Sequence, residues 1–433
     1  MIYLIAIKIG FDKMGISVFY KDIKLQAGGV RMLTGFSVEY EGNHLYENNG
    51  FKIIQETYTV KQDNGSITEV TLFESDMGDL EVKNIVVRHP GLNIVEKWVE
   101  IKNVSDESIK ITRVDSIHGE ISSDNYNLKY FSSEWGKEFE PHDIELKGTK
   151  ILEVTAGRSS QGMHPWFTLT GETGSILSCA MAWSGNWIVR FEPLEGGQYR
   201  ITGGLSNWSF FKTLEPGEGM EGIHCIYTYF SQGDLSDTSI EFGRWGRKYL
   251  YPRNTISESM EVEWNSWWPY EDYKLNEEVV KSNADESAII GIGVCMLDAG
   301  WFGPHSESSL WWKVRGDWHI VNYKRFPSGI GAVSDYVHQK GLKFGIWCEI
   351  EAVGQEAELN LLRPELIAER DGKKLGYACM GNPQTQDWAF GVIETLINDY
   401  KADWIKLDFN LDPGAGCNRT DHGHGEGDGL YEH

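Results

Sequence analysis

The sequence has no long apolar run at its start, few basic residues and few cysteines, and each shortage argues against a class of protein. Its apolar start, Met1–Gly10, is too short to span a bilayer and lacks a small-residue cleavage site. We therefore expect no secretion signal and a cytoplasmic location. Basic residues are also scarce, 40 against 64 acidic ones, which gives a formal charge of −24. Such a chain is unsuited to nucleic acid or to an anionic membrane surface, and it suits a neutral substrate.

Cysteine is the third shortage, and several cofactor motifs are missing. The six thiols are scattered without C-x-x-C spacing, which argues against a disulfide framework or a zinc site. There is no G-x-G-x-x-G dinucleotide motif after the first strand of the second half, no G-x-x-x-x-G-K-[ST] loop and no G-x-S-x-G motif. The glycine-rich tail Cys417–His433 mixes cysteine, histidine and acids without a recognised ligand spacing. We predict neither a metal nor a cofactor.

What is present in the first 250 residues is the pattern of a β protein. Short apolar runs are separated by clusters of Gly, Asn, Asp and Ser, which is typical of a large antiparallel sandwich. Examples are Ile67–Phe73, Val95–Ile101, Ile109–Val114 and Ile176–Ala182. A helical pattern over Asp237–Tyr251 then ends at Pro252. We predict a β-sandwich domain over residues 1–250 and a second domain over residues 251–433.

The second half alternates strands with helices. The patterns predict strands over residues 261–267, 289–298, 342–348 and 402–409, and helices over residues 276–288, 329–340, 355–362 and 386–400. This alternation indicates a parallel sheet with right-handed crossovers, either a (β/α)8 barrel or an open doubly wound sheet. Only four strand–helix repeats fit before residue 433. Either the sheet is open, or the chain is a fragment that holds the first half of a barrel.

The last of these strands carries three polar residues two positions apart, Lys406, Asp408 and Asn410. Side chains two apart on a strand share a face. Polar groups on a central strand are costly unless they meet a ligand or one another. A carboxylate at the carboxyl end of a barrel strand is typical of a catalytic group, whereas a structural Lys–Asp pair is the alternative. The stretch by itself does not separate these two interpretations.

An ordered set of short motifs in the second half decides in favour of a catalytic role. The motifs are Asn265-Ser-Trp267, Leu297-Asp298-Ala-Gly-Trp301-Phe302-Gly303, Gly316-Asp317-Trp318, Phe326-Pro327, Gly345-Ile-Trp347, Asn382-Pro383 and Trp404-Ile-Lys406-Leu-Asp408-Phe-Asn410. In this order and rough spacing the chain resembles the melibiase-type α-galactosidases of glycoside hydrolase family 36, in clan D. The first half carries weaker echoes at Gly157-Arg158-Ser159-Ser160 and Trp183-Ser184-Gly185-Asn186-Trp187.

The resemblance implies a fold and a reaction. The family has an N-terminal β-supersandwich, a central (β/α)8 barrel and a small C-terminal β domain, and it hydrolyses terminal α-galactosides with retention. It implies that Asp408 is the nucleophile and that Lys406 holds sugar hydroxyls and keeps the nucleophile ionised. The other substrate-binding residues that it implies are Asp298, Trp347, Trp267, Trp301 and Asn410. The partner is then a small oligosaccharide of the raffinose or melibiose type, and a homo-oligomer is left open.

Three departures from the family pattern temper these expectations. The family has a second Asp where this chain has Ala299, which leaves galactose and N-acetylgalactosamine undistinguished. The family's sugar-binding Arg has no clear match, and Lys373 or Lys374 is the nearest cation. The family's acid/base Asp would lie beyond residue 433, so we expect a truncated chain with little hydrolysis of its own. A non-catalytic carbohydrate-binding protein or inactive paralogue, and a transglycosidase of the raffinose-synthase type, are the alternatives.

Overall fold

The computed structural model describes residues 33–121, 125–304 and 310–433, and the first part of this is all β. Its strands are β1 (Gly35–Tyr40), β2 (Asn43–Tyr46), β3 (Phe51–Lys61), β4 (Ile67–Ser75), β5 (Leu80–Arg88), β6 (Val95–Asn103), β7 (Ile109–Ile121), β8 (Tyr126–Glu134), β9 (Lys137–Glu145), β10 (Lys150–Glu153), β11 (Gly162–Gly171), β12 (Ile176–Ala182), β13 (Trp187–Pro193), β14 (Tyr199–Leu205), β15 (Lys212–Leu214), β16 (Gly219–Glu221) and β17 (His224–Phe230). Each of the four runs named as strands from the sequence begins at the residue predicted.

These strands form two antiparallel sheets that pack face to face. The seven-stranded sheet has the order β10-β13-β14-β7-β1-β2, with β15 on β7. The ten-stranded sheet has the order β3-β4-β5-β6-β17-β12-β11-β8-β9, with β16 on β6. Alternate side chains of β6, such as Val99 and Ile101, point into the same buried cluster as Ile111 and Val114 of β7. The predicted antiparallel sandwich is confirmed over the described residues, whereas residues 1–32 of the predicted domain, Met1–Gly10 among them, lie outside the described residues and the domain bounds stay a prediction.

A helix follows the sandwich, as the sequence predicts. Helix α1 (Leu235–Trp245) begins at Asp234, whose carboxylate accepts hydrogen bonds from two backbone N–H groups of the first turn. It continues as a π-helical turn, Gly246–Leu250. Trp245 packs against Ile94 and Ile226 of the sandwich. Leu250, the last residue of this turn, is exposed.

The second half holds a four-stranded parallel sheet with the order β18-β19-β20-β23, in which consecutive strands are parallel. Its strands and helices, in chain order, are α2 (Thr255–Glu258), β18 (Glu263–Asn265), α3 (Trp267–Tyr270), α4 (Glu277–Ile290), β19 (Val294–Leu297), α5 (Ile330–Gln339), β20 (Lys343–Cys348), α6 (Glu358–Leu362), β21 (Ile367–Arg370), β22 (Lys373–Ala378), α7 (Pro383–Asn398), β23 (Trp404–Leu407) and α8 (Gly429–Glu432). The four predicted parallel strands are therefore present, with helices between consecutive strands.

Two details of this half differ from the prediction. The apolar pair Ile289 and Ile290 belongs to the end of α4 and not to a strand, because α4 continues until Gly291 adopts a left-handed conformation with φ of 83°. The antiparallel hairpin β21–β22 was not predicted at all. No helix in the described ranges is long and apolar enough to cross a membrane. The parallel sheet is open in these ranges, so the barrel itself stays a prediction.

Candidate active site

Asp408 lies immediately beyond the carboxyl end of β23, where its backbone N–H donates to the Cys348 carbonyl of the neighbouring β20 (3.1 Å). The side chain is half-buried. Its Oδ2 accepts a hydrogen bond from the indole Nε1 of Trp347 (3.1 Å), and its Oδ1 accepts one from the backbone N–H of Phe409 (3.0 Å). Each carboxylate oxygen has one donor and a spare lone pair, so the group is oriented but not saturated.

Lys406 and Asp298 form an ion pair beside this carboxylate. The Lys406 ammonium donates to Asp298 Oδ2 at 2.9 Å, and the Asn265 amide donates to the same oxygen at 2.9 Å. The lysine side chain is 39% exposed, whereas the Asp298 side chain is only 4% exposed. Trp347 pairs with Lys406 across the sheet, which places their side chains on one face. Three neighbouring strands thus bring a carboxylate, an indole and an ammonium together.

Backbone contacts fix Asp298 further. Its own N–H donates to Ser266 Oγ (3.0 Å), and its Oδ1 accepts the N–H of Ala299 (2.8 Å). Because Ala299 is buried and has no polar side chain, this position offers a ligand no second carboxylate. Asp298 remains an ionisable acceptor at the end of β19, with Lys406 as its counter-ion.

An aromatic cluster packs around the same strand ends. Trp267 contacts Trp311 edge to face with ring centroids 5.6 Å apart, and Trp311 contacts Trp347 in the same way at 5.5 Å. Trp301 lies behind them: it is completely buried, and its indole donates to the Trp347 carbonyl (3.0 Å). In this structure Trp301 supports Trp347, and its predicted contact with a sugar stays a prediction.

Asn410 lies in the segment after β23 and is exposed. Its backbone N–H donates to the carboxylate of Glu349, which is itself completely buried and paired with Arg315 (2.9 Å). From the sandwich, Arg158 donates to the carbonyl of Phe409 (2.9 Å). The segment that follows Asp408 is therefore held from both sides, by an ion pair of the α/β half and by an arginine of the sandwich.

The structure brings together most of the residues that the sequence nominated, and it adds others. Asn265, Ser266, Trp311 and Glu349 were given no role, although Asn265 and Ser266 stand in a matched motif. Lys374, one of the two cations considered as a replacement for the missing Arg, instead bonds to Asn360 from β22. No hydrogen bond links it to the carboxylates of the site among the described residues.

Two family models match the chain. The N-terminal domain of glycosyl hydrolase family 36 matches residues 27–215, and the melibiase model matches residues 222–422, so that together they span nearly all of the sequence. The α-galactosidase Mel36A of Lactobacillus acidophilus is 26% identical over 367 residues, which are 81% of this chain and 49% of that protein. The α-galactosidase AgaA of Geobacillus stearothermophilus is 26% identical over 359 residues, 79% of this chain and 48% of that protein.

Solved structures agree on the fold. The crystal structure of AgaA superposes with a TM-score of 0.80 at 21% identity, covering 92% of this chain and 58% of that one. The α-galactosidase of Lactobacillus brevis superposes with a TM-score of 0.77 at 23% identity, covering 87% and 53%. The chain spans about half the length of the curated relatives it matches. With both family domains present in order, the chain belongs to glycoside hydrolase family 36.

Proposed function

We propose that this chain carries the nucleophile half of a retaining α-galactosidase site, with Asp408 attacking the anomeric carbon of a terminal α-galactoside. The observation that carries this proposal is the half-buried Asp408 carboxylate at the end of a parallel strand, oriented by the Trp347 indole and flanked by the Lys406–Asp298 pair. A nucleophilic carboxylate must be directed at the anomeric carbon, and an N–H donor on one of its oxygens fixes its orientation.

The Lys406–Asp298 pair supplies what a sugar ring needs from a protein. The ammonium is a donor for hydroxyl oxygens, and the Asp298 carboxylate is an acceptor for hydroxyl protons. The Trp267–Trp311–Trp347 cluster offers apolar rings for the C–H face of a hexose. Structures of the related AgaA have been determined with raffinose and with stachyose, which supports an α-galactosyl oligosaccharide as the substrate class here.

Hydrolysis with retention needs a second carboxyl group about 5–5.5 Å from the nucleophile to protonate the leaving oxygen. The other two carboxylates of the described site are each tied to a cation, Asp298 to Lys406 and Glu349 to Arg315. We therefore propose that the four β/α units seen here are half of a barrel and that the acid/base carboxyl group lies outside them. An α-galactosyl donor with a very good leaving group bypasses this requirement, because its departure needs no proton.

The proposal is tested by chemical rescue. Asp408→Gly removes the nucleophile and leaves space for azide, which should attack the anomeric carbon of 2,4-dinitrophenyl α-galactoside and yield β-galactosyl azide. A neighbouring variant, Asp412→Gly, serves as the control and should yield no β-galactosyl azide, because its Asp408 still occupies the face that azide would attack. Absence of β-galactosyl azide from the Asp408 variant, together with unchanged turnover of the same donor, would remove Asp408 from the mechanism. Binding of galactose without any turnover of that donor by the wild-type protein would favour the carbohydrate-binding alternative.

A further inference from the structure

A second cluster of reactive side chains lies outside the candidate active site. Cys379 follows β22 directly, and Cys417, His422 and His424 stand in the loop after β23. All four are buried, with His424 the most exposed at 7%. One candidate ligand atom from each, a sulfur or a ring nitrogen, lies within 4.8 Å of the other three. Two sulfurs and two imidazole nitrogens thus converge on one point inside the protein.

The distances fit a four-coordinate metal ion. In a tetrahedral zinc site, Zn–S of about 2.3 Å and Zn–N of about 2.0–2.1 Å separate a sulfur from a nitrogen by about 3.5 Å. The Cys379 sulfur lies 3.3 Å from His424 Nε2, and the Cys417 sulfur lies 3.6 Å from His422 Nδ1. The two imidazole planes are nearly perpendicular, at 87°, so the rings approach from different directions.

Hydrogen bonds with neighbouring backbone groups orient the His424 ring and the Cys417 sulfur, as is usual around a metal site. The Nδ1 of His424 is 2.8 Å from the Gly425 carbonyl, which makes Nδ1 the protonated nitrogen and leaves the Nε2 lone pair facing the Cys379 sulfur. The backbone N–H of Glu369 donates to the Cys417 sulfur (3.4 Å), which suits a thiolate. His422 is 1% exposed, and its Nε2 is buried without a partner among the described residues.

Hydrogen bonding within the cluster is a poor substitute for a metal. A thiol is a weak donor, and four buried polar side chains that meet one another through S–H···N contacts are costly to desolvate. Two thiolates and a divalent cation, by contrast, give a neutral buried centre.

We propose that Cys379, Cys417, His422 and His424 bind one Zn²⁺ ion. The choice of metal follows from the two sulfur and two nitrogen donors, which favour a tetrahedral ion of intermediate softness. All four positions come from the protein, so no site is left for a substrate, and the ion is structural. It fastens the loop after β23 to the hairpin β21–β22.

This proposal reverses the expectation drawn from cysteine spacing. Cys379 and His424 are 45 residues apart in the sequence, with α7 and β23 between them. A pattern search for closely spaced ligand pairs does not join them, and only the fold does. The His-x-His pair at His422 and His424 is the one local signal, and it was too weak to predict a site without its cysteines.

The test is metal content and spectroscopy on the 433-residue protein, purified in reductant, stripped with a chelator and reloaded. Zinc measured by mass spectrometry should reach about one ion per chain. Cobalt(II) in its place should give the visible bands of a tetrahedral ion and a thiolate charge-transfer band. Cys417→Ser and His424→Asn should each lose the bound zinc and the cobalt bands, whereas Cys225→Ser, which removes a buried thiol of the sandwich, should keep both.

If the ligand variants fail to fold, the cobalt spectrum of the wild-type protein still tests whether the four side chains bind a metal. A folded, reduced wild-type protein that binds no zinc at an equimolar concentration would overturn the proposal. So would octahedral cobalt bands without thiolate charge transfer. A third outcome would also overturn the proposal. If the metal-free protein purified without reductant has two fewer titratable thiols, and if it takes up no zinc after reduction, then Cys379 and Cys417 form a disulfide.

Discussion

At the scale of single residues, the candidate site depends on a few directed hydrogen bonds. The indole N–H of Trp347 and the N–H of Phe409 orient the Asp408 carboxylate, and Lys406 neutralises the buried Asp298. None of these contacts comes from a flexible surface pair, because Trp347 and Asp298 are nearly completely buried. Each side chain of the site is therefore held in one orientation by the strands that carry it.

The Trp347 contact can be tested with a variant that keeps an aromatic ring at this position. In Trp347→Phe the N–H donor is lost while an aromatic ring remains. A hydrogen bond to a charged group contributes about 1.5–3 kcal/mol, so the kcat/KM for galactosyl transfer from an activated donor should fall about 10- to 100-fold. Trp135→Phe, at an indole that is 84% exposed on the sandwich, should leave the rate unchanged. An unaltered rate in Trp347→Phe would mean that the indole does not orient the nucleophile.

A second residue-scale prediction concerns pH and the sandwich. His224 lies between Glu96 (2.8 Å) and Glu221 (2.6 Å). Burial alone would lower the pKa of His224, but hydrogen bonds to Glu221 and Glu96 outweigh burial and raise it from 6.5 to about 9. Burial alone would raise the pKa of Glu96, but hydrogen bonds from His224 and His89 lower it from 4.5 to about 2.

The sign of the stability change follows from these shifts. The contribution of His224 is complete below pH 6.5 and is lost as the pH rises towards about 9, whereas that of Glu96 is complete above pH 4.5 and is lost towards about pH 2. His224→Gln should therefore flatten the fall in melting temperature between pH 6.5 and 9. His319→Gln, at an exposed histidine, should leave that fall as it is. Parallel curves for wild type and His224→Gln would contradict the assignment.

At the scale of elements, the sequence predicted whether a segment is a strand or a helix better than it predicted where that segment begins and ends. Strand and helix patterns identified the sandwich and the four parallel strands with the helices between them, because apolar periodicity is a local signal. The hairpin β21–β22 was missed because Lys373 and Lys374 make its second strand polar and exposed. The end of α4 was missed because Ile289 and Ile290 are apolar but exposed, at 77% and 71%, so they imitate a buried strand.

Local patterns also predicted only part of the candidate active site. Asp408, Lys406 and Asp298 could be predicted because they stand in recognisable motifs. Arg315, which neutralises the buried Glu349, stands in no such motif. Arg158 does stand in a motif of the sandwich, but its contact with the segment after β23 could not be predicted, because it joins distant parts of the chain. Local patterns carry no information on such long-range pairs.

Two glycines test the element boundaries directly. Gly291 ends α4 with φ of 83°, where a Cβ is strained, so Gly291→Ala should destabilise the protein by about 1 kcal/mol. Gly391 lies inside α7 on its exposed side, and nothing lies within 4 Å of an added Cβ. Gly391→Ala should stabilise the protein by about 0.5–1 kcal/mol. Opposite shifts of the thermal midpoint are expected, and a fall for Gly391→Ala would refute the assignment of α7 over Gly391.

At the scale of the whole molecule, the sandwich holds the chain that follows β23. Lys212 of β15, whose side chain is 8% exposed, pairs with Asp428 (2.9 Å) and Glu432 (3.0 Å). The Asn186 amide donates to the Gly414 carbonyl (3.0 Å), and Gly414 N–H donates to the Ala156 carbonyl (2.9 Å). The loop that would carry the zinc ligands is thus anchored on both halves of the protein.

Removing the central cation of this interface should have a large effect. Lys212→Met leaves Asp428, which is 3% exposed, as a buried carboxylate without its counter-ion, at a cost of about 3 kcal/mol. Lys401→Met breaks the pair with Asp335, in which both side chains are about half exposed, and should cost less than about 1 kcal/mol. Thermal unfolding of the two variants compares them directly. Equal shifts would show that the Lys212 pair does not hold the halves together.

Intact-mass spectrometry of a labelled chain identifies the nucleophile. Incubation with 5-fluoro-α-galactosyl fluoride, whose leaving group needs no acid, should add the mass of one fluorogalactosyl group to the wild-type chain, and peptide mapping should place it on Asp408. Asp408→Asn should show no adduct. Labelling of a different carboxylate, or an equal adduct on the Asp408→Asn chain, would contradict the account.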